Sequence, residues 1–188
     1  MTTLVPLRTA RTNIRQVFER ATPEALNEGL AWYEDAADWC SALGKLETVA
    51  GITAALSPMV SWPTNQAAAK ALIEGEQVER YGVFGSNIIK AWRILDGARP
   101  LDVLGGPKVR AFYQAIVERA AWCEAVIDRH ALAVYLGRPA TEAERHGISR
   151  RTREAAQLAY REEADAQGIL AIELQAVTWV QWRAEQNG

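Results

Sequence analysis

Residues Leu104–Val134 read LGGPKVRAFYQAIVERAAWCEAVIDRHALAV and carry the clearest turn and helix signals of this sequence. A Gly-Gly-Pro turn precedes a helix whose first turn carries Lys108 and Arg110. Glycine permits the tight backbone geometry of a turn, and proline favours the first position of a helix. An isolated aspartate, Asp128, then opens another helix, because aspartate is among the preferred N-cap residues. The stretch predicts a turn, a helix and a capped helix in succession.

Helical signals continue along the rest of the chain. Thr22-Pro23-Glu24 combines a capping threonine with proline at the first helical position, and apolar residues then recur at helical spacing as far as Gly44. Thr141–Glu144 has the capping-box pattern, and Ser149 is a further N-cap. We find no alternation of the kind that strands show and no repeat. We therefore expect an all-α fold, a compact helical domain of about eight to ten helices.

The expected organisation is a single domain over residues 1–188. A chain of 188 residues has the size of one domain, and the predicted connections between helices are short. The weakest stretch is Gly75–Gly85, which carries little helical signal. We expect the N-terminal helices, within residues 1–47, to pack with the C-terminal helices.

The Leu104–Val134 stretch resembles the hairpin-to-aspartate segment of the helix-hairpin-helix DNA glycosylases, the endonuclease III-like superfamily. Leu104 and Gly106 fall on the family's leucine and first glycine, and Asp128 falls on its catalytic aspartate. His130 falls on the histidine two places further on. The resemblance implies a glycosylase-like fold with a helix-hairpin-helix element and a catalytic role for Asp128. The cysteine cluster of the iron–sulfur members is absent, so no cofactor is implied.

The hairpin of this family binds a DNA phosphate, which makes Gly105, Gly106, Lys108 and Arg110 the candidate nucleic-acid-binding residues. Lys108 stands where the family has its second glycine, so the turn must close differently. Arg110 stands where bifunctional members carry the Schiff-base lysine, and a guanidinium cannot form an imine. The resemblance therefore favours a monofunctional enzyme. A shifted alignment would put Lys108 in the lyase role instead.

A second match lies upstream, in Val49–Ile73. Met59 takes the place of the glutamine that fills the gap left by an extruded base, and a thioether fills space without pairing. Trp62 is expected in the same loop, where the alternatives are stacking on a base and packing in the core. These two residues are the candidate base pocket or wedge. The matching positions are Leu56, Ser57 and Asn65.

The chemistry of base release explains the need for a carboxylate. Cleavage of an N-glycosidic bond builds positive charge on the sugar, and an ionised carboxylate stabilises that charge or activates water. At a helix N-terminus the dipole and the backbone N–H groups keep Asp128 ionised. A purely structural N-cap is the competing interpretation, and the two roles are compatible.

The charge pattern bears on the partner. The net charge is −2 and the pI is near 5.8, which argues against strong non-specific binding to nucleic acid. Two arginine clusters predict either a local basic face or solvated helix surfaces. The resemblance implies DNA as the partner, and the negative net charge favours a modified nucleoside as the alternative. The clustered arginines are Arg8, Arg11, Arg15 and Arg20, and Arg138, Arg145, Arg150, Arg151 and Arg153.

Other features narrow the class of protein. Two cysteines are too few for a four-thiolate cluster or a zinc site, and two histidines are too few for a metal site, so we expect none. Cys40 and Cys123 are expected to be buried thiols on helices, with one disulfide between them as the alternative. The sequence has no long apolar segment and no signal-peptide pattern, so we expect no membrane contact and a cytoplasmic location.

Together these observations predict a monofunctional DNA N-glycosylase, a hydrolase in which Asp128 is the essential carboxylate. Two alternatives stay open. The first is a DNA-binding or adaptor protein that keeps the scaffold and lacks the chemistry, which the altered hairpin and Met59 favour. The second is a glycosidase of a modified nucleoside, which the negative net charge favours.

Overall fold

The computed structural model describes residues 4–187, except for the side chains of His146 and Asn187. Over that range the chain forms eleven α-helices and no strand, which confirms the all-α prediction. The helix not foreseen is the four-residue α6. The helices are Leu7–Glu19 (α1), Pro23–Leu43 (α2), Leu46–Leu56 (α3), Trp62–Ile73 (α4), Gly85–Leu95 (α5), Pro100–Val103 (α6), Pro107–Glu118 (α7), Arg129–Leu136 (α8), Glu142–His146 (α9), Arg150–Gln167 (α10) and Ala171–Asn187 (α11).

The described residues form two compact units. Unit 1 contains the chain up to Tyr33 together with the chain from Ala120 onwards, and unit 2 contains Glu34–Arg119. The boundary between them falls within α2 and again after α7. The single-domain organisation stays a prediction. None of the described helices is both long and apolar enough to cross a membrane.

Unit 1 has its core among α1, α8, α10 and α11. Helix α1 buries Ala10, Ile14 and Val17, which recur at the spacing of one helix face. The Tyr135 hydroxyl accepts from the Val5 N–H at 3.0 Å and donates to the Val5 carbonyl at 3.2 Å, which fixes the chain ahead of α1. The first helix of the chain therefore packs against helices from its last third.

An ion pair reinforces this packing inside unit 1. Glu163 on α10 has a fully buried side chain, and Arg15 donates to it at 2.7 and 2.9 Å. Arg11 adds a bond of 3.2 Å, and Gln167 one of 2.9 Å. Burial alone would raise the pKa of Glu163, but these donors outweigh it and lower the pKa. The carboxylate therefore stays ionised and holds α1 to α10.

Unit 2 is organised around α3. Every residue from Val49 to Leu56 is buried, and α3 packs against α4, α5, α6 and α7. At Gly51 a Cβ would lie 2.8 Å from Cγ of Pro100, the first residue of α6. Only glycine accommodates so close an approach. This contact positions α6, and with it the turn that leads into α7.

The expectation that Cys123 is a buried thiol on a helix is wrong. Helix α7 ends at Glu118, because Arg119 adopts a φ of 46° and breaks the helix. Cys123 consequently lies exposed in a loop and is not a buried helical thiol. Cys40 does lie buried on α2, where burial raises the pKa of its thiol to about 11.

Candidate nucleic-acid interface and carboxylate

The segment that the resemblance matched to the hairpin contains α6, a turn at Leu104–Gly106 and α7, and its identity as a helix-hairpin-helix element stays a prediction. Gly106 is the N-cap of α7 with a φ of 78°, in the left-handed region that favours glycine. Pro107 follows at the first helical position. The turn therefore closes around Gly106 and Pro107. Lys108 occupies the position at which the glycosylases have their second glycine.

Arg110 joins α7 to the end of α6. One nitrogen of its guanidinium donates to the Leu101 carbonyl at 2.6 Å and to the Leu104 carbonyl at 3.2 Å. These carbonyls belong to the end of α6, where helical partners are lacking. Arg110 thus has a structural task within unit 2, and its contact with nucleic acid stays a prediction.

Unlike Arg110, Lys108 binds no backbone carbonyl in the part of the chain that the structure describes. Its side chain is partly buried, and among the described residues it makes no hydrogen bond or ion pair. The N–H groups of Lys108 and Val109 lie in the first turn of α7, and their N-cap, Gly106, has no side chain to accept from them. An unpaired cation and unsatisfied backbone donors therefore lie together at this end of α7.

Met59 lies in the turn between α3 and α4 and is strongly exposed. Its side chain surface is 76 % accessible, and its φ is 68°. Both properties are costly for a methionine, because the left-handed region crowds Cβ and exposure leaves an apolar side chain in water. Strain of this kind accumulates at functional sites. The role of Met59 as a wedge stays a prediction.

Trp62 is the first residue of α4 and not part of a loop, which corrects the expected location. Its partly buried ring packs edge-on against Trp39, at 5.8 Å between centroids, and against Phe112, at 6.5 Å. The tryptophan therefore joins an aromatic cluster of unit 2. Stacking on a base would have to use the part of the ring that this cluster leaves accessible.

Asn65, which the resemblance matched, has a visible structural function. It is buried, and its side-chain nitrogen donates to the Thr53 carbonyl at 3.1 Å. The bond joins α4 to α3 within unit 2. The match at this position is thus explained by packing.

Asp128 belongs to unit 1 and is the N-cap of α8, as predicted. Its Oδ1 accepts from the N–H groups of His130 and Ala131, both at 2.8 Å. Its Oδ2 accepts no hydrogen bond from the described residues, and the residue is partly buried. One oxygen is therefore fixed by the helix while the other remains available.

Two buried phenols lie within the electrostatic reach of Asp128. Burial raises the pKa of Tyr33 and of Tyr160 far above the ordinary value, and the charge of Asp128 raises both further. Tyr33 donates to Gln175 Oε1 at 2.9 Å, and the Tyr160 hydroxyl lies 3.2 Å from Thr178 Oγ1. Both phenols are neutral, so neither of them is a counter-ion for the carboxylate of Asp128.

Arg153 holds the chain just ahead of Asp128. Its guanidinium donates to the carbonyls of Ile127 and Ile148, both at 3.3 Å, and burial lowers its pKa. From the sequence, Arg153 was expected only as one member of a basic cluster on a helix surface, since it lies four residues after the Ser149 cap. No local sequence pattern indicated that it would bind the chain ahead of Asp128.

The remaining arginine clusters are largely engaged by carboxylates. In unit 1, Arg20 pairs with Glu185 at 2.6 Å, and Arg138 pairs with Glu144 at 2.9 Å. Arg150 pairs with Glu154 at 2.7 Å. Together with Arg11 and Arg15, these pairs neutralise much of the predicted basic face.

Sequence comparison places the chain in a family without assigning it an activity. No curated protein and no solved structure matches it. A family model described as a family of unknown function, DUF7178, matches residues 2–186. Because this match covers nearly the whole sequence, the chain belongs to the family DUF7178.

Proposed function

We propose that this chain is a nucleobase-handling, DNA glycosylase-like protein that hydrolyses the N-glycosidic bond of a base in DNA. Asp128 is the essential carboxylate. Water adds to C1′ of the sugar while the bond from C1′ to the base nitrogen breaks, and the base leaves with a proton. The carboxylate stabilises the positive charge that develops on the sugar or accepts the proton of the water.

The observation that carries this proposal is the hydrogen bonding of Asp128. Two backbone N–H groups fix Oδ1, and Oδ2 has no partner among the described residues. A carboxylate held in this way is oriented and remains a base on its second oxygen. These are the properties that the reaction requires of it.

The nucleic-acid contact is assigned to unit 2. Gly105, Gly106 and Lys108 lie at the N-terminus of α7, where backbone donors and a cation favour a phosphate. Arg110 stabilises this turn through its bonds to Leu101 and Leu104. The exposed Met59 is the candidate wedge, since extrusion of a base leaves a gap that an apolar side chain fills.

Two other functions on the same scaffold each have an observation in their favour. The N-cap bonds of Asp128 are by themselves sufficient to explain an aspartate at this position, which favours a DNA-binding protein without catalysis. The ion-paired arginines and the net charge of −2 favour a small substrate such as a modified nucleoside. The three functions differ in substrate and product.

The test is a base-release assay with the wild-type chain. Duplexes and single strands that carry a panel of modified or mispaired bases are incubated with the protein beside the corresponding free nucleosides, and released base is measured by mass spectrometry. We expect free base, an intact abasic strand and no adduct after borohydride treatment. Binding of DNA without release from any substrate would contradict the proposal and indicate the adaptor. Release from nucleosides alone would indicate the nucleosidase, and an adduct lost in Lys108→Ala would indicate the lyase.

A further inference from the structure

Helix α5 of unit 2 has apolar side chains on two opposite faces. One face packs against α3 and is buried. On the other face, Ile89 is 64 % exposed and Trp92 is 38 % exposed. A helix that is apolar on both sides is normally covered on both sides, and among the described residues nothing covers this outer face. The buried residues of α5 are Asn87, Ile88, Ala91 and Ile94.

The outer face of α5 has the spacing of a helix–helix contact. Gly85, Ile89, Trp92 and Asp96 follow one another at intervals of four, three and four residues, which is the a/d spacing of coiled coils. All four are exposed, and together they define the α5 seam. Ile89 and Trp92 are neighbours at its centre, because residues three apart lie side by side on a helix. The seam therefore has the pattern that receives a second helix.

The N-terminal end of the seam is partially positive and uncapped. Phe84 is the N-cap of α5 without a side-chain hydrogen bond, and the first turn contains no acidic residue. The N–H groups of Gly85 and Ser86 make no hydrogen bond to the described residues. Free N–H groups and the helix dipole favour a negative charge at this end.

The C-terminal end of the seam carries a negative charge that α5 itself does not favour. Asp96 is the C-cap of the helix, where the dipole is partially negative. Its exposed carboxylate makes no ion pair or hydrogen bond within the part of the chain that the structure describes. The two ends of the seam are therefore complementary in charge to each other, although they lie at opposite ends of one helix.

A second copy of α5, running antiparallel, matches both the centre and the ends of the seam. When Ile89 lies opposite Trp92 of the second copy, Gly85 lies opposite its Asp96, and the two-fold axis repeats each contact. A Cβ on Gly85 would meet nothing within 4 Å, so the approaching carboxylate has room to reach the free N–H groups. A parallel copy would instead place the two Asp96 carboxylates side by side.

We propose that the α5 seam is the interface of a homodimer in which the α5 helices of two copies pack antiparallel. An 11-residue helix is about 16 Å long, so the contact falls short of the roughly 1,600 Å² that a standard interface buries. The dimer is accordingly weak, with a dissociation constant on the order of 100 μM. The inference goes beyond the proposed function, since it involves neither Asp128 nor α7, and the two can fail separately.

Sedimentation equilibrium tests the dimer over protein concentrations up to about 1 mM, ten times the expected constant. The wild type should show a reversible equilibrium of monomer and dimer. Ile89→Glu should abolish the dimer, because it places two like charges at the centre of the seam, and it should retain the unfolding midpoint because Ile89 is exposed. Leu30→Glu, at an exposed leucine of unit 1, is the matched control and should keep the wild-type constant.

Charge reversal at the ends of the seam tests its orientation. Asp96→Lys should raise the dissociation constant by about ten-fold while it keeps or raises the unfolding midpoint, because a cation is favourable at a helix C-terminus. Gly85→Glu should also weaken the dimer, because it places a carboxylate opposite Asp96. The two substitutions in one chain place opposite charges across the seam and should return the constant to within about three-fold of the wild type.

Three results would overturn the proposal. The first is a monomer at every concentration, and the second is a dimer that persists in Ile89→Glu, since the interface would then lie elsewhere. The third is a double variant that dimerises no more tightly than Asp96→Lys alone, since Gly85 and Asp96 would then not face each other.

Discussion

At the scale of single residues, Met59 combines exposure with backbone strain. A non-glycine residue in the left-handed region costs on the order of 1 kcal/mol, and 76 % exposure of the side chain offers little packing in return. The turn between α3 and α4 retains this methionine where a glycine would fit its φ of 68° better. An exposed apolar tip on this turn is what the proposed wedge requires.

Replacement of Met59 by glycine should separate stability from function. We expect Met59→Gly to raise the free energy of unfolding by at most about 0.5 kcal/mol, the relieved strain less the added chain entropy, while base release or DNA binding falls. Urea unfolding measures the first quantity. Met59→Leu keeps the strain and an apolar tip, so it is the control for both. A glycine variant less stable than the leucine variant would show that packing rather than strain dominates here.

At the scale of helices, the N-terminus of α9 depends on one ionised carboxylate. Glu144 is buried and accepts from Arg138 at 2.9 Å. It also accepts from the N–H and hydroxyl groups of Thr141, at 2.9 and 3.0 Å, in a capping box. The Arg138 hydrogen bond and then the Thr141 N–H lower the pKa of Glu144 from 4.5 to about 2.

This lowered pKa predicts a pH dependence of stability. Since the pKa is lower in the folded chain than in the unfolded chain, the stabilisation is complete above pH 4.5 and is lost as the pH falls towards 2. Glu144→Gln should flatten this part of the unfolding profile measured with urea at successive pH values. Glu154→Gln, in an exposed pair with Arg150, should leave it intact. An equal slope in the Glu144 variant and the wild type would refute the assignment.

Local signals and tertiary packing explain what the sequence could and could not predict about these elements. The caps at Asp128, Thr141 and Ser149 were predictable because a side chain that accepts from N–H groups two or three residues ahead is a local pattern. The four-residue α6 was not, because it depends on the contact of Pro100 with Gly51. Trp62 was assigned to a loop because its aromatic partners are distant in the sequence.

At the scale of the molecule, ion pairs engage some of the cations of each unit and leave others unpaired. In unit 1, Arg11 and Arg15 of α1 and Arg150 of α10 have carboxylate partners, whereas Arg8 has none among the described residues. In unit 2, Lys90 and Lys108 lack one among the described residues. The sequence shows where cations cluster, but it does not show which of them form ion pairs with carboxylates in the folded chain. Anion binding is therefore expected at Lys108, beside the first-turn N–H groups of α7, rather than at the arginines that already have carboxylate partners.

Duplex binding tests this distribution. Lys108→Ala should weaken binding and lower the slope of log K against log salt by about one, because one phosphate contact is lost. Arg150→Ala removes an exposed arginine that already has a carboxylate partner and should change neither quantity. The salt dependence can be followed by fluorescence anisotropy. If the arginine variant lowered the slope and the lysine variant did not, the basic face would belong to α10.

The most direct test of the proposed activity is the comparison of Asp128→Asn with the wild type in the base-release assay. Asparagine keeps the shape and the N-cap bonds of α8, so we expect the unfolding midpoint to be retained while the rate of release falls by about 100-fold or more. Asp165→Asn, on the exposed side of α10, is the control and should keep the wild-type rate. Full turnover by a folded Asp128→Asn variant would contradict the account, because Asp128 would then be an N-cap and nothing more.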